Sequence, residues 1–198
     1  MALVEPYIEN DSMSFHFDHL HIPEVIRITP TRHRDHRGFF SETYRVSAFQ
    51  GCGIHDVFLQ DNHAYSSRGV LRGLHYQVPP RAQAKLIRVT QGEVFDVAVD
   101  LRTGSPTFGC WVGGVLSAKN SAILYIPEGF AHGYQCLSEK SELVYKVSSE
   151  FDSRLDSGIV WDDETVGIPW PLERPILSER DLALPSLAES TSPFKYSL

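Results

Sequence analysis

The residues best suited to chemistry cluster in residues 69–85, Gly-Val-Leu-Arg-Gly-Leu-His-Tyr-Gln-Val-Pro-Pro-Arg-Ala-Gln-Ala-Lys. Arg72 supplies a permanent planar positive charge, His75 a titratable imidazole, and Lys85 a point charge whose pKa moves on burial. The segment otherwise reads as two apolar strands joined by a Pro79-Pro80 turn. Gly69 and Gly73 are expected to let the backbone pass close to something bulky. Fixed charge beside a titratable base suits a negatively charged substrate with a proton to lose.

Strand phasing says where such groups point, because successive side chains alternate between faces. Lys85, Ile87 and Val89 share one face of a strand expected over residues 85–90, and Leu143, Tyr145 and Val147 one face of a strand over 142–148. With the apolar face inside, Lys85 and Tyr145 point into a barrel, where an ammonium and a phenol are costly unless paired or used. A strand over 39–45 would put Phe40, Glu42 and Tyr44 together. A strand over 57–62 would align Phe58, Gln60 and Asn62 as a polar pocket wall.

Further strands are expected at 22–28, 69–77, 93–101, 107–116 and 122–126, separated by Gly, Pro and Asn turn signals. Many short strands punctuated in this way argue for an all-β sandwich, barrel or double-sheet jelly roll. Helical signals are confined to one turn at 47–50 and a short helix near the C-terminus, capped within Ser178-Glu179-Arg180-Asp181. Residues 1–20 read as an N-terminal arm or extra strand. Residues 151–198, acidic and proline-rich at first, read as a segment packing across the barrel. No internal repeat occurs, and one domain is expected over residues 1–198.

The totals narrow the function classes. A formal net charge of -7 leaves no spread basic surface for nucleic acid, so any anion site must be local. Three cysteines (Cys52, Cys110, Cys136) without CxxC spacing argue against a disulfide framework and a thiolate zinc site, and for a reducing compartment. No apolar run is long enough for a signal-peptide core or a bilayer span, so a soluble cytoplasmic protein is expected.

A metal site can be weighed on its ligands. Residues 127–132, Pro-Glu-Gly-Phe-Ala-His, are similar to the second motif of the cupin superfamily, PxGxxH. Metal-binding cupins supply His-x-His and a later Glu from a first motif, whereas residues 73–77 here are Gly-Leu-His-Tyr-Gln. Two histidines fall short of the three or four side chains a transition metal takes, so no metal is expected. His132 on its own reads as a core histidine hydrogen-bonded to a carbonyl rather than as a catalytic one.

A longer ordered series carries a more specific resemblance. Asp35-x-Arg37-Gly38-x-Phe40-x-Glu42, Gln60-Asp61-Asn62, Gly69-Val-Leu-Arg-Gly-Leu-His75-Tyr-Gln77, Gln83-x-Lys85-Leu, Val97-Ala-Val-Asp100-Leu-Arg102, Ile126-Pro-x-Gly-Phe-Ala-His132-Gly, Tyr145-Lys146 and Leu177-Ser-x-x-Asp181 follow one another along the chain. From about Val25 to about Leu187 the sequence resembles the dTDP-4-dehydrorhamnose 3,5-epimerase family.

The resemblance implies a cupin-type double-sheet jelly roll barrel. It also implies a nucleoside-diphosphate 4-keto-6-deoxyhexose as small-molecule substrate, inverted at the carbons flanking the ketone with no metal or nucleotide cofactor. It makes His75 the base, Asp181 the partner orienting it, Lys85 the neighbour of the enolate oxygen and Tyr145 the proton donor from the other side. Arg72 and Arg37 would hold the diphosphate. Phe40, Glu42, Gln60 and Asn62 would line the nucleotide and sugar pocket, residues 37–42 reaching across a homodimer interface, and His132 would lie near the sugar. The alternatives are an epimerase acting on one carbon of another nucleotide sugar, a sugar-nucleotide binding module without activity, and a metal-dependent cupin oxygenase.

Overall fold

The computed structural model of the chain describes residues 14–196. Thirteen strands and two short helices follow one another: β1 (Phe15–His19), β2 (Ile26–Pro30), β3 (His33–Asp35), β4 (Gly38–Phe40), α1 (Val46–Gln50), β5 (Gln60–Ser67), β6 (Leu71–Gln77), β7 (Lys85–Gln91), β8 (Glu93–Asp100), β9 (Trp111–Ser117), β10 (Ile123–Ile126), β11 (Phe130–Cys136), β12 (Lys140–Val147), β13 (Asp156–Gly158) and α2 (Glu179–Leu182). A six-stranded sheet runs β1-β2-β10-β7-β12-β5, and a five-stranded sheet runs β13-β6-β11-β8-β9. Their paired strands are antiparallel throughout. The architecture is the all-β, cupin-type double-sheet barrel that the strand pattern and the family resemblance predict.

Three apolar clusters hold these layers together. Between the sheets, Ile87, Val89, Leu124, Ile126 and Leu143 from the six-stranded sheet meet Val94, Ala98, Val112, Leu116 and Phe130 from the five-stranded one. Each fully buried aliphatic or aromatic side chain of this kind contributes about 1.5–3 kcal/mol relative to exposure. On the outer side of the six-stranded sheet, Ile28, Leu86 and Ile123 are covered by Phe49 of α1 and by Ile54. On the outer side of the five-stranded sheet, Leu74, Val97, Val99 and Ala131 are covered by Ile159, Val166, Leu187 and Phe194. The segment after Phe151 therefore does cross the barrel. Gln135 clamps it by donating to Leu172 O at 2.8 Å and accepting from Leu172 N at 2.9 Å. Leu71 N and Ile176 O then meet at 2.9 Å.

Several elements differ from expectation. The strand expected over 39–45 ends at Phe40, so Phe40, Glu42 and Tyr44 do not share a strand face. Asp35 accepts from Arg37 N at 2.8 Å, and Gly38 takes φ +131°, which folds β3 and β4 into a tight separate hairpin. Ser41 Oγ then donates to Thr31 O and turns the chain away. The strand expected over 57–62 starts only at Gln60 and runs on to Ser67, because its register partner β12 pairs with it over that whole length. Phe58 is thereby left off the inward face and packs on Tyr44 in the outer cluster. The strand expected from residue 107 begins at Trp111, since the hydroxyls of Ser105 and Thr107 are drawn to the Asp100 carboxylate at 2.6 and 2.7 Å. β11 was not expected: every residue in it is buried, so it shows no alternation to read. Of the N-terminal arm, Phe15–His19 forms β1, and residues 1–13 lie outside the described residues.

The two glycines of the 69–85 segment play different parts. Gly69 takes φ +85° in a turn, and a Cβ there would meet nothing within 4 Å, so it admits no close neighbour. Gly73, at φ +137°, does: an added Cβ would lie 2.5 Å from Gly133 Cα and 3.0 Å from His132 O. At this contact the β6–β11 register slips, from His132 opposite His75 to Tyr134 opposite Arg72. A β-bulge of this kind re-aims side chains. Arg72 and His75, three residues apart and on opposite faces of a regular strand, both line one cavity as a result.

Gly73→Ala is expected to destabilise the protein by about 2–4 kcal/mol, a fall in melting temperature of about 5–15 °C. Gly69→Ala, facing open space, costs only its backbone preference, about 1 kcal/mol. Equal melting temperatures for Gly73→Ala and the wild type in a calorimetric scan would contradict the close approach.

Candidate active site

A cavity of about 420 Å³ opens between the two sheets. Its walls are Ala64 of β5, Arg72 and His75 of β6, Lys85 of β7, His132 and Tyr134 of β11, Leu143 and Tyr145 of β12, and a strap formed by Ile176, Leu177, Ser178, Arg180 and Asp181. Such a concave space with few convergent polar groups is the usual form of a small-molecule site.

His75 Nε2 lies 2.7 Å from Asp181 Oδ1. The Asp181 side chain is 4% exposed and that of His75 25% exposed, so the imidazole, and not the carboxylate, faces solvent. Burial works against the charge on Asp181, but hydrogen bonding and attraction from His75 and contacts from Gly73 N–H and Ser178 outweigh it. The carboxyl is held below the ordinary carboxylate range. An ionised carboxylate only accepts, so Nε2 carries the hydrogen and Nδ1 is left as the basic nitrogen. Asp181 is held in turn by α2, whose N-cap Ser178 accepts from Asp181 N at 3.1 Å. The capping Ser expected in the sequence is the residue that places the carboxylate.

Lys85 is 7% exposed and donates to the carbonyl of His75 at 3.1 Å. Burial pushes its pKa down to about 8. Asp156 and Asp96 pull it up, and Arg180 pushes it further down. The ammonium therefore sits inside the barrel, as the phasing of residues 85–90 predicts, with one donor given to the His75 carbonyl. Tyr145 borders the inter-sheet core, and burial raises its phenol pKa. Arg72 opposes that rise and Asp156 adds to it. The phenol thus remains a neutral proton donor at physiological pH.

His132 is 8% exposed and lies 2.9 and 3.0 Å from the two oxygens of Asp96, itself wholly buried. It is neither bonded to a carbonyl nor part of a metal set. Burial lowers its pKa; Asp96 opposes this, while Lys85 and His75 add to it. Among the described residues no group of three or more His, Cys, Asp and Glu is placed to hold a metal ion, and both cavity histidines are turned to carboxylates. Arg72 donates through Nε to Ser66 Oγ at 3.2 Å and through Nη2 to Tyr65 O at 3.1 Å. Tyr134 Oη completes that group at 3.0 Å from Ser66 Oγ.

Of the residues singled out by the sequence, the fold brings Arg72, His75, Lys85, His132, Tyr145 and Asp181 to one cavity. Gln60 and Asn62 lie on β5, four and two residues before Ala64 and in phase with it, with Gln60 Nε2 donating to Asn62 Oδ1 at 2.8 Å. They continue the inward face without lining the cavity. Arg37 and Phe40 lie elsewhere, in a concavity of the β3–β4 hairpin. Arg37 pairs with Asp35, and Phe40 is 68% exposed. Glu42 is paired with Arg45 at 3.4 Å.

Sequence reasoning missed Asp96, Ser66, Tyr134, Ser178 as a wall of the cavity, and the Arg180–Asp156 ion pair at 2.6 Å. Asp96 carried a usable signal. It shares a strand face with Val94 and Ala98, where a lone carboxylate demands a partner. Tyr134 stands two residues after His132 on an unrecognised strand, and the other positions become neighbours only through tertiary contacts.

Comparison with known proteins identifies the family and the fold. The sequence profile of the family dTDP-4-dehydrorhamnose 3,5-epimerase matches residues 19–189. A dTDP-4-dehydrorhamnose 3,5-epimerase of Pseudomonas aeruginosa is 54% identical over 164 residues, covering 82% of this chain and 90% of that protein. The crystal structure of a dTDP-6-deoxy-D-glucose-3,5-epimerase from Legionella pneumophila, in complex with dTDP-4-keto-L-rhamnose, superposes with a TM-score of 0.90 at 41% identity. It covers 93% of this chain and 100% of that one. A 3'-monoepimerase from Streptomyces bikiniensis, in complex with dTDP-quinovose, superposes with a TM-score of 0.80 at 37% identity, covering 85% of this chain and 86% of that one. With its motifs in order, its cavity between the sheets, a family profile matched over residues 19–189 and 54% identity to the Pseudomonas relative across the aligned residues, this chain belongs to the dTDP-4-dehydrorhamnose 3,5-epimerase family.

Proposed function

We infer that this chain is an isomerase that inverts C3 and C5 of dTDP-4-keto-6-deoxy-glucose, giving dTDP-4-keto-L-rhamnose. The observation that carries the reading is the placement of a base and an acid on opposite sheets of one cavity. His75, tied to Asp181, comes from β6 of the five-stranded sheet, and Tyr145 from β12 of the six-stranded sheet. Inversion needs that arrangement, because the proton must leave one face of the carbon and return to the other.

The chemistry follows from the groups present. A C–H beside a ketone is acidic because the electron pair left behind is shared with the carbonyl oxygen. His75 Nδ1 takes the proton, and the imidazolium so formed is stabilised by the Asp181 carboxylate. The enolate oxygen gathers negative charge, which the buried Lys85 ammonium is suited to meet in a low-dielectric cavity. Tyr145 then gives a proton to the opposite face of the carbon and regains one from solvent, to which His75 in turn releases the proton it took. Repetition at the second flanking carbon completes the conversion, and no step calls for a metal or nucleotide cofactor.

Arg72, exposed at the rim, fits the diphosphate with its planar fork. Arg37 and Phe40, on a hairpin joined to neither main sheet, and Glu42 just after it lie outside their own chain's cavity. We assign them to the cavity of a second copy in a homodimer, with Gln60 and Asn62 lining the path between. The exposure of Phe39 (56%) and Phe40 (68%) supports that reading. The reaction is assigned to the cytoplasm, in keeping with three free cysteines and with no helix among the described residues long and apolar enough to cross a membrane.

Incubation with dTDP-4-keto-6-deoxy-glucose in deuterated water is expected to place deuterium at both C3 and C5. Label at a single carbon would replace the 3,5 assignment with that of a monoepimerase. In the same assay His75→Asn is expected to lose exchange by about 10²–10⁴-fold. Tyr145→Phe should retain exchange better than net epimerisation, because abstraction precedes donation. Equal loss of both in Tyr145→Phe would remove the tyrosine from its role.

Lys85 is charged below its folded-state pKa and neutral above it. Turnover measured as kcat/KM is therefore expected to fall as pH rises through about 8, and Lys85→Met should be slow at every pH. A profile flat from pH 7 to 10 would show that no ammonium is needed.

The homodimer is tested by mixing two inactive variants, Arg37→Ala and His75→Asn. Subunit exchange should restore about a quarter of the wild-type activity, since about half of the dimers in a random equal mixture are mixed and each mixed dimer carries one intact cavity out of two. Activity no greater than that of the separate variants would place Arg37 outside the partner's cavity.

A further inference from the structure

The contacts around Arg72 go beyond what holding a substrate requires. Arg72 leaves β6 in the five-stranded sheet and reaches β5, the edge strand of the six-stranded sheet, donating to Ser66 Oγ and Tyr65 O. Two of its donors are spent on these bonds, and no described residue is recorded as taking Nη1. A guanidinium is planar, so two anchored donors fix its plane. Ser66 is 2% exposed and Tyr134 4% exposed. Their hydroxyls meet at 3.0 Å, so the Ser66 Oγ that receives Arg72 Nε is itself held by Tyr134. Tyr134 also stands opposite Arg72 in the β6–β11 register, just past the slip at Gly73. A phenylalanine would fill this position in the apolar cluster equally well; only the hydroxyl reaches Ser66.

We propose that Tyr134 is a positioning residue for diphosphate binding: through Ser66 it fixes the plane of the Arg72 guanidinium, leaving Nη1 free to meet the phosphate oxygens. The proposal rests on the nucleotide-sugar reading above, and it assigns Tyr134 to binding and not to proton transfer.

The test compares the wild type, Tyr134→Phe, Ser66→Ala, Arg72→Ala and the Arg72→Ala/Tyr134→Phe double variant. Tyr134→Phe is expected to raise KM for the dTDP-4-keto sugar and Kd for dTDP by about 5- to 10-fold, the equivalent of one lost hydrogen bond. It should leave kcat within about twofold and binding of thymidine, which carries no phosphate, unchanged. Ser66→Ala should reproduce this pattern, which covers the case in which Tyr134→Phe does not fold. In the Arg72→Ala background the tyrosine change should cost nothing more, because its effect passes through the guanidinium. Wild-type KM and Kd in both Tyr134→Phe and Ser66→Ala, equal weakening of thymidine and dTDP, or the same loss with Arg72 absent would each overturn the proposal. A wild-type chain that binds no dTDP would instead overturn the nucleotide-sugar reading, and this proposal with it.

Discussion

The hydrogen bond between His75 and Asp181 ties together parts of the chain 106 residues apart, and much of the architecture is arranged so that it can form. His75 sits on an inner strand of the five-stranded sheet. Asp181 arrives only after the chain has crossed that sheet's outer face, been clamped by Gln135 and joined the edge of β6 through Ile176. A hydrogen bond to a buried charge contributes about 1.5–3 kcal/mol, so the contact stabilises the tail as well as setting the tautomer of the imidazole. The outer apolar cluster built on Leu74, Val97 and Val99 is what holds the tail close enough for the bond.

A second constraint is the closeness of β6 and β11 at Gly73 and Gly133. No side chain fits between these backbones, and the register slips there by one residue. That slip lets one strand deliver both an arginine and a histidine to the same side. Without it, an alternating strand would send one of them outward, and a single strand could not bring both to one cavity.

The cavity also gathers charge in a place that disfavours it. Lys85 is buried, and its ammonium is weakened by desolvation despite Asp156 and Asp96 nearby. His132 is similarly held toward its neutral form while donating to Asp96. A cation buried in a low-dielectric cavity interacts strongly with any negative charge that develops beside it, because burial weakens dielectric screening. The same low-dielectric environment keeps the Tyr145 phenol protonated, so the neutral phenol and the weakened ammonium follow from a single physical cause.

By itself, the sequence determined the strand punctuation, the inward phase of Lys85 and Tyr145, the capped turn that carries Asp181, and the ordered motifs of the family. These are local properties: alternation along a strand, the donor and acceptor chemistry of a cap, and residue types at fixed spacing. It could not determine that β11 is a strand, because a strand buried on both faces shows no alternation. Nor could it show that Asp96 and Tyr134 are partners of His132 and Ser66, since those pairs lie far apart in the chain. Only the tertiary structure decided that Arg72 and His75 share a side, that Gln60 and Asn62 stand beyond the cavity, and that Arg37, Phe40 and Glu42 lie away from it. Each depends on how one backbone is placed against another, through register, close approach and the path of the tail, which residue types at fixed spacing do not encode.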